Sequence, residues 1–336
     1  PIIISSGGSN DGTKEWLEET SLKDENLIFN HVDSVISLSE NYNIGIKLVK
    51  TEKLVLIHND MVIGDGFLEN LVKDLDENTL LCYTTVEPPI FVDDERVGKY
   101  ILNCGDDFDD FDEEKFNIYL EYVNYYEKIE SGGSFFMSGY KTLFESVGYF
   151  DSDTFNHFFC EDDDFLLRTK LKGYSIKTTN QSNVYHFISK TSRYSEEFQD
   201  KSEKIEKNSN RDFIRKWGIN KNLFDLKYIT DSIKLILNDN TYLYDLEPYF
   251  NFIITPNKDL NYIFNETQNS VFPIDLKFYN EKTKYEIYFD GKMDIELFRI
   301  LINIRNFITY IKFDNNLTPF KFNNGNGTII IKKNPE

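Results

Sequence analysis

The chain has 336 residues, enough for one large domain and one small one. Its formal net charge of −20 and pI near 4.7 weigh against a nucleic-acid partner, whose phosphates would be repelled. Alanine is absent while Asn, Lys, Ile, Phe and Tyr abound, the mark of an AT-rich genome such as a viral one.

Ile2-Ile3-Ile4 reads as a strand, followed by a Gly-rich turn and a helix over 13–20. Leu27-Ile28-Phe29 is a second strand, and residues 43–51 a helix. Leu54-Val55-Leu56-Ile57 predicts a strand buried on both faces, as in a parallel sheet. Asp60 follows its carboxyl end, and Asp65 is the expected N-cap of a helix over 67–75. A strand over 80–86 ends at Glu87-Pro88-Pro89, since proline cannot continue a ladder. The acidic stretch 93–114 reads as a solvated loop leading into a helix near 115–125. A helix near 140–146 and the turn Gly148-Tyr149-Phe150-Asp151 come next. Glu161-Asp162-Asp163-Asp164 then opens a helix that runs to Gly173, a natural C′ residue. Ser175-Ile176-Lys177 begins a strand leading to His186. Such alternation predicts an α/β domain with a mostly parallel sheet, assigned to residues 1–218. After Trp217-Gly218 the rhythm changes: a strand over 285–289, a helix over 294–309 and a hairpin around 323–327 predict a small α+β domain over 219–336.

Several residues are placed for chemistry. Ligands of α/β sheets bind beyond the carboxyl ends of the strands, so Asp60 is a candidate for holding a divalent cation, or else opens a turn. The turn Ser5-Ser6-Gly7-Gly8-Ser9-Asn10-Asp11-Gly12 joins a strand to a helix start, where backbone N–H groups attract anions. Glu161 and Asp162 lie in the first turn of a helix, and either could take a proton from an acceptor hydroxyl. Asp164 and Arg168 stand four apart and can pair on one face. His186, one of four histidines, is a packing residue or a metal ligand. Cys82, Cys104 and Cys160 form no CxxC pair and leave one over, the pattern of reduced thiols in a cytoplasmic protein. No apolar run is long enough to cross a bilayer.

Taken in order, SGGSNDGT, LVLIHNDM, FMSGYKTLFESVGYFD, EDDDFLLRTKLKGYSI and YHF resemble the family-two glycosyltransferases of GT-A fold over residues 1–190. The resemblance implies a turn that binds the nucleotide and a DxD-like triplet whose Mn²⁺ or Mg²⁺ bridges the sugar-nucleotide diphosphate. It also implies an ED motif supplying the base and a later His joining the metal. Carried onto this chain, it makes Asp60 and His186 metal ligands and Asp162, or Glu161, the base. Ser6, Gly7, Gly8, Asp11, His58 and Asn59 fall on the donor side, and Gly133, Ser134 and Asp164 on the acceptor side. The partners implied are a UDP- or GDP-sugar, a glycan, lipid or protein hydroxyl acceptor, and a second copy of the chain.

The chain also departs from the pattern. Its triplet reads His58-Asn59-Asp60, so only the last acid is present, and His58 either ligates the metal or lines the sugar pocket. Ser6-Gly7 stand where the family often has acids, which leaves the nucleotide open. The family's first strand lies upstream of a segment like Ile2–Ile4, so residues preceding Pro1 are expected in the natural protein. Two other readings stay open: a degenerate relative acting as a sugar-binding or assembly module, and a nucleotidyltransferase. The lack of a basic residue before Lys14 in the first turn counts against the latter.

Overall fold

The computed structural model describes residues 1–123, 128–188, 192–193, 195, 198–221, 230–314 and 316–335. The chain divides into two compact units, Pro1–Ile205 and Glu206–Glu336. Among the described residues no helix is long and apolar enough to cross a membrane.

Unit 1 begins with β1 (Ile2–Gly7), α1 (Thr13–Ser21) and β2 (Leu27–Val32). The two strands pair in parallel from Ile2↔Leu27 to Gly7↔Val32. Next comes α2 (Leu38–Leu48), five residues earlier than the sequence pattern predicts. The Ser37 hydroxyl accepts from the Glu40 N–H at 3.1 Å and starts the helix there, while extended Val49 ends it. There follow β3 (Lys53–Val55), β4 (Met61–Ile63), α3 (Phe67–Asp74), β5 (Thr79–Glu87), β6 (Lys99–Ile101) and α4 (Glu113–Val123). Residues 124–125, expected to close that last helix, lie outside the described residues. The unit continues through β7 (Ile129–Ser131), β8 (Met137–Tyr140), α5 (Lys141–Val147), α6 (Glu161–Leu171) and β9 (Ser175–His186). The division between units falls within α7 (Ser202–Trp217).

The main sheet of unit 1 runs β3-β8-β5-β9-β4, with β6 on β5 and β7 on β9. Its directions are mixed. β5 is parallel to β9 and β6, whereas β3–β8, β8–β5, β9–β4 and β9–β7 are antiparallel. Only β5 is buried along its whole length, being flanked on both sides. The doubly buried strand expected at Leu54–Ile57 is corrected: β3 stops at Val55, pairs on one side only, and Ile57 is 36% exposed. Asp65 is likewise not the cap of α3, because Gly66 in the left-handed region (φ 73°) takes that place. The acidic run 106–114 makes a short exposed turn, in which the Asp110 carboxylate accepts the Asp106 and Asp107 N–H groups at 3.0 and 2.7 Å, and then enters α4 at Glu113.

Unit 2 comprises β10 (Ile233–Leu237), α8 (Leu243–Leu246), β11 (Phe252–Ile254), α9 (Leu260–Thr267) and β12 (Tyr285–Gly291), then α10 (Ile295–Ile302), α11 (Ile304–Thr309), β13 (Phe320–Asn323) and β14 (Gly327–Lys333). Its sheet runs β11-β10-β12-β14-β13, and alternating Ile287, Phe289, Ile329 and Ile331 pack beneath Leu297, Leu301, Ile304 and Ile308. The single helix expected over 294–309 is broken at Asn303. Its side-chain amide donates to the Arg299 carbonyl at 2.9 Å and competes with the helical ladder.

Candidate active site

The site of unit 1 forms where β5 and β9 end and β4 begins. Thr179 pairs with Tyr83 but Asn183 with Thr84, so residues 180–182 bulge out of β9 and shift its final turn of register. The bulge brings Tyr185 beside Val86 and His186 beside Met61. Asp60 immediately precedes β4 and is held there by its carbonyl, which accepts the Phe187 N–H at 3.0 Å. Asp60 thus lies at a strand end, as expected, but at the start of an antiparallel strand instead of the finish of a parallel one.

Three side chains converge at this point. His186 Nε2 is 3.4 Å from Asp60 Oδ1, and His58 Nδ1 is 4.0 Å from the same oxygen. One ligand atom from each of His58, Asp60 and His186 lies within 4.8 Å of the other two. Asp60 Oδ1 is sealed from solvent and makes no hydrogen bond of ordinary geometry among the described residues. A buried, acceptor-only oxygen between two imidazoles suits a divalent cation, so these residues fit the metal implied by the sequence.

The electrostatics follow from burial and mutual charge. Burial pushes the Asp60 carboxyl up, but the facing His186 and His58 outweigh it and leave the pKa below its ordinary value. Burial, helped by His186, takes His58 down to about 4, so its ring is neutral at physiological pH. Burial also pulls His186 down, yet Asp60 and Glu87 on either side bring it above its usual value.

A second layer surrounds the three residues. Glu87, the last residue of β5, places Oε1 3.2 Å from His186 Nδ1 and is ion-paired with Arg96. Tyr42 on α2 hydrogen-bonds His58 Nε2 through its hydroxyl. The His58 ring stacks on Phe135 at 5.4 Å between centroids and meets the edge of His186 at 5.9 Å. Nothing in the sequence pattern marked Tyr42, and Glu87 read only as the end of a strand before two prolines.

Glu161 and Asp162 open α6, after Phe159 and Cys160, both in the left-handed region (φ 70° and 68°). Two successive non-glycine residues there are strained, a feature found where the surrounding structure fixes a functional turn. Burial, then Tyr83, and then the charges of Glu161, Asp162 and Asp60 raise the pKa of the Tyr42 hydroxyl. Asp162 also acts on Cys82, whose thiol contacts the Ser134 carbonyl at 3.3 Å; burial pushes that thiol up to about 12. Gly133 is packed so closely on Cys82 that a Cβ would lie 2.3 Å from its sulfur. Asp164 is fully buried and pairs with Arg168 at 2.8 Å, and Arg168 donates to the Val147 carbonyl at 2.9 Å. Through Arg168 its carboxylate ties α6 to the end of α5.

The first turn lies apart from these groups in sequence but is tied to them by α2. Asn41 accepts from the Ser5 hydroxyl at 3.0 Å, Tyr42 reaches His58, and Asn43 bonds both the N–H and the carbonyl of Phe150. Ser6 bonds Ser9 at 2.9 Å and His31 at 3.3 Å, while Asp11 accepts from the Thr13 N–H at 3.1 Å and starts α1. Gly7 and Gly8 are pressed against Ile36 and Val35, where any Cβ would collide. Asn59 sits in the turn before β4.

The chain was compared with known proteins. Among curated proteins none matches it. GalNAc-T7 crystallised with UDP, GalNAc and Mn²⁺ aligns over 65% of this chain and 44% of its own, at 13% identity and a TM-score of 0.43. S. aureus TarS aligns over 98% of this chain and 54% of its own, at 13% identity and 0.41. TarS 1-349 in complex with UDP-GlcNAc aligns over 97% and 89%, at 12% identity and 0.42. The chain therefore spans about half the length of the first two. Residues 1–145 match the sequence model of Glycosyl transferase family 2, and with its central sheet flanked by helices unit 1 is a family-two-like glycosyltransferase domain of GT-A fold.

Proposed function

We propose that unit 1 transfers a sugar from a nucleotide-diphosphate donor to a hydroxyl acceptor, by single displacement with inversion and with a divalent cation. The observation that carries this reading is the meeting of His58, Asp60 and His186 at the strand ends. A cation bound there would neutralise charge developing on the leaving diphosphate. Two imidazoles and one carboxylate favour Mn²⁺ over Mg²⁺, because imidazole suits transition ions better. Asp162, or Glu161 one residue upstream, takes the proton of the attacking hydroxyl. Ser6, Gly7, Gly8 and Asp11 shape the nucleotide side, with His58 and Asn59 nearer the diphosphate, and the Gly133-Ser134 backbone lines the acceptor side.

The test is nucleotide release from UDP- and GDP-sugars by the full chain, with and without Mn²⁺. Turnover is expected to need the ion and to vanish in Asp60→Ala while the thermal melt of the metal-free protein is kept. Full turnover in excess EDTA would sink the reading.

A further inference from the structure

Each imidazole of the cluster has a second nitrogen, and both of these are engaged on the side away from Asp60. His58 turns Nδ1 towards Asp60 Oδ1 and gives Nε2 to the Tyr42 hydroxyl. His186 turns Nε2 towards the same oxygen, at 3.4 Å, and gives Nδ1 to Glu87 Oε1 at 3.2 Å. The two rings use opposite nitrogens, so sequence alone could not state which atom faces the cation.

A neutral imidazole offers a lone pair at one nitrogen only when the other carries the proton. An ionised carboxylate accepts and never donates, so Glu87 holds a proton of His186 on Nδ1 and makes Nε2 the nitrogen that gives up its proton to a cation. Glu87 is itself held by the Arg96 ion pair and by the Thr85 hydroxyl at 2.9 Å, so it cannot swing to another partner. Nε2–H of His58 can donate to the Tyr42 hydroxyl, and in that tautomer Nδ1 is open. We propose that Glu87 and Tyr42 are positioning residues that lock His186 and His58 in the tautomers presenting lone pairs to a cation shared with Asp60. This rests on the metal reading above, and it concerns two residues on separate elements, β5 and α2. Partners of this kind typically account for ten- to a hundredfold in metal affinity.

The experiment is Mn²⁺ titration of the full chain, followed by the electron paramagnetic resonance signal of free ion, for wild type, Tyr42→Phe and Glu87→Gln. Each variant is expected to bind Mn²⁺ at least about tenfold more weakly, with the Tyr42→Phe melt unchanged when metal-free. With only four histidines in the chain, ¹⁵N spectra of the metal-free protein also report the tautomers. His58 should carry its proton on Nε2 in wild type and lose that preference in Tyr42→Phe. If wild type binds Mn²⁺ and both variants bind within about twofold of it, the proposal is overturned. A wild-type His58 protonated on Nδ1 overturns it as well. If wild type binds no Mn²⁺, the metal reading falls, and the His58 tautomer still decides whether Tyr42 sets the ring. Should Glu87→Gln fail to fold because Arg96 loses its partner, Tyr42→Phe decides alone.

Discussion

Two aspartates two residues apart on α6 differ in burial, and substitutions separate the roles proposed for them. Asp162→Asn is expected to cut transfer at least about a hundredfold, the lower range for losing a general base, with donor affinity little changed. Rates measured at saturating donor check this, and near-normal transfer together with loss in Glu161→Gln would move the base one residue upstream. Asp164→Asn should instead lower the melting temperature and leave the transfer rate near normal. Spaced four apart on a solvated helix, Asp164 and Arg168 would contribute only about half a kcal/mol. Here Asp164 is fully buried and its partner also holds the Val147 carbonyl, so weakening the pair costs about 1–3 kcal/mol. Burial, which the spacing does not disclose, decides the difference.

At the scale of elements, α2 organises the site. Its successive residues Asn41, Tyr42 and Asn43 reach the first strand, the His58 ring and the Phe150 turn. Asn43 is buried and bonds the Phe150 carbonyl at 2.8 Å and its N–H at 2.9 Å. Asn43→Ala leaves the Phe150 N–H unpaired, while its carbonyl keeps the Ser152 N–H at 3.1 Å, and should cost about 1–3 kcal/mol, read as a shift in urea midpoint with an unchanged slope. An unchanged midpoint would mean that the turn before the ED helix is held otherwise. The elements nearest the chemistry were legible because they carry strong local signals. Four acids and a Gly173 stop mark α6, and the apolar run from Leu80 marks β5. Asp60 and His186, which the fold brings together, could be picked out for the same reason. What local pattern could not supply was pairing. The apolar run at Leu54 belongs to an edge strand, and β4 and β8 run antiparallel to neighbours far along the chain. Glu87 enters the site through the pairing of β5 with β9 and Tyr42 through α2, so neither left a trace in spacing.

For the whole molecule, a store of pH-dependent stability lies in unit 2. Glu247 is fully buried and accepts from Arg215 at 2.6 Å, Lys277 at 2.6 Å and the Tyr262 hydroxyl at 2.9 Å. Burial pushes its carboxyl up, but Lys277 and Arg215 overcome this and bring the pKa from 4.5 down to about 2. A carboxyl with a lowered folded pKa stabilises above its unfolded value and loses that contribution as pH falls through the folded one. Glu247 thus contributes on the order of 3 kcal/mol at neutral pH, beginning to fade near pH 4.5 and gone below about 2. Glu247→Gln removes the titration and takes a buried carboxylate from Lys277, Arg215 and Arg211, of which the arginines keep Glu266, so it should be destabilised at pH 7 by a margin of that order. The margin should then shrink, with about 2 kcal/mol of it gone by pH 3, because wild type loses its ionised advantage and the variant has none to lose. Denaturant midpoints of both proteins between pH 7 and 3 check this. A gap that stays constant across the range would mean that Glu247 keeps its proton count on unfolding, and that the Arg215–Lys277 cluster holds the unit by packing instead of charge.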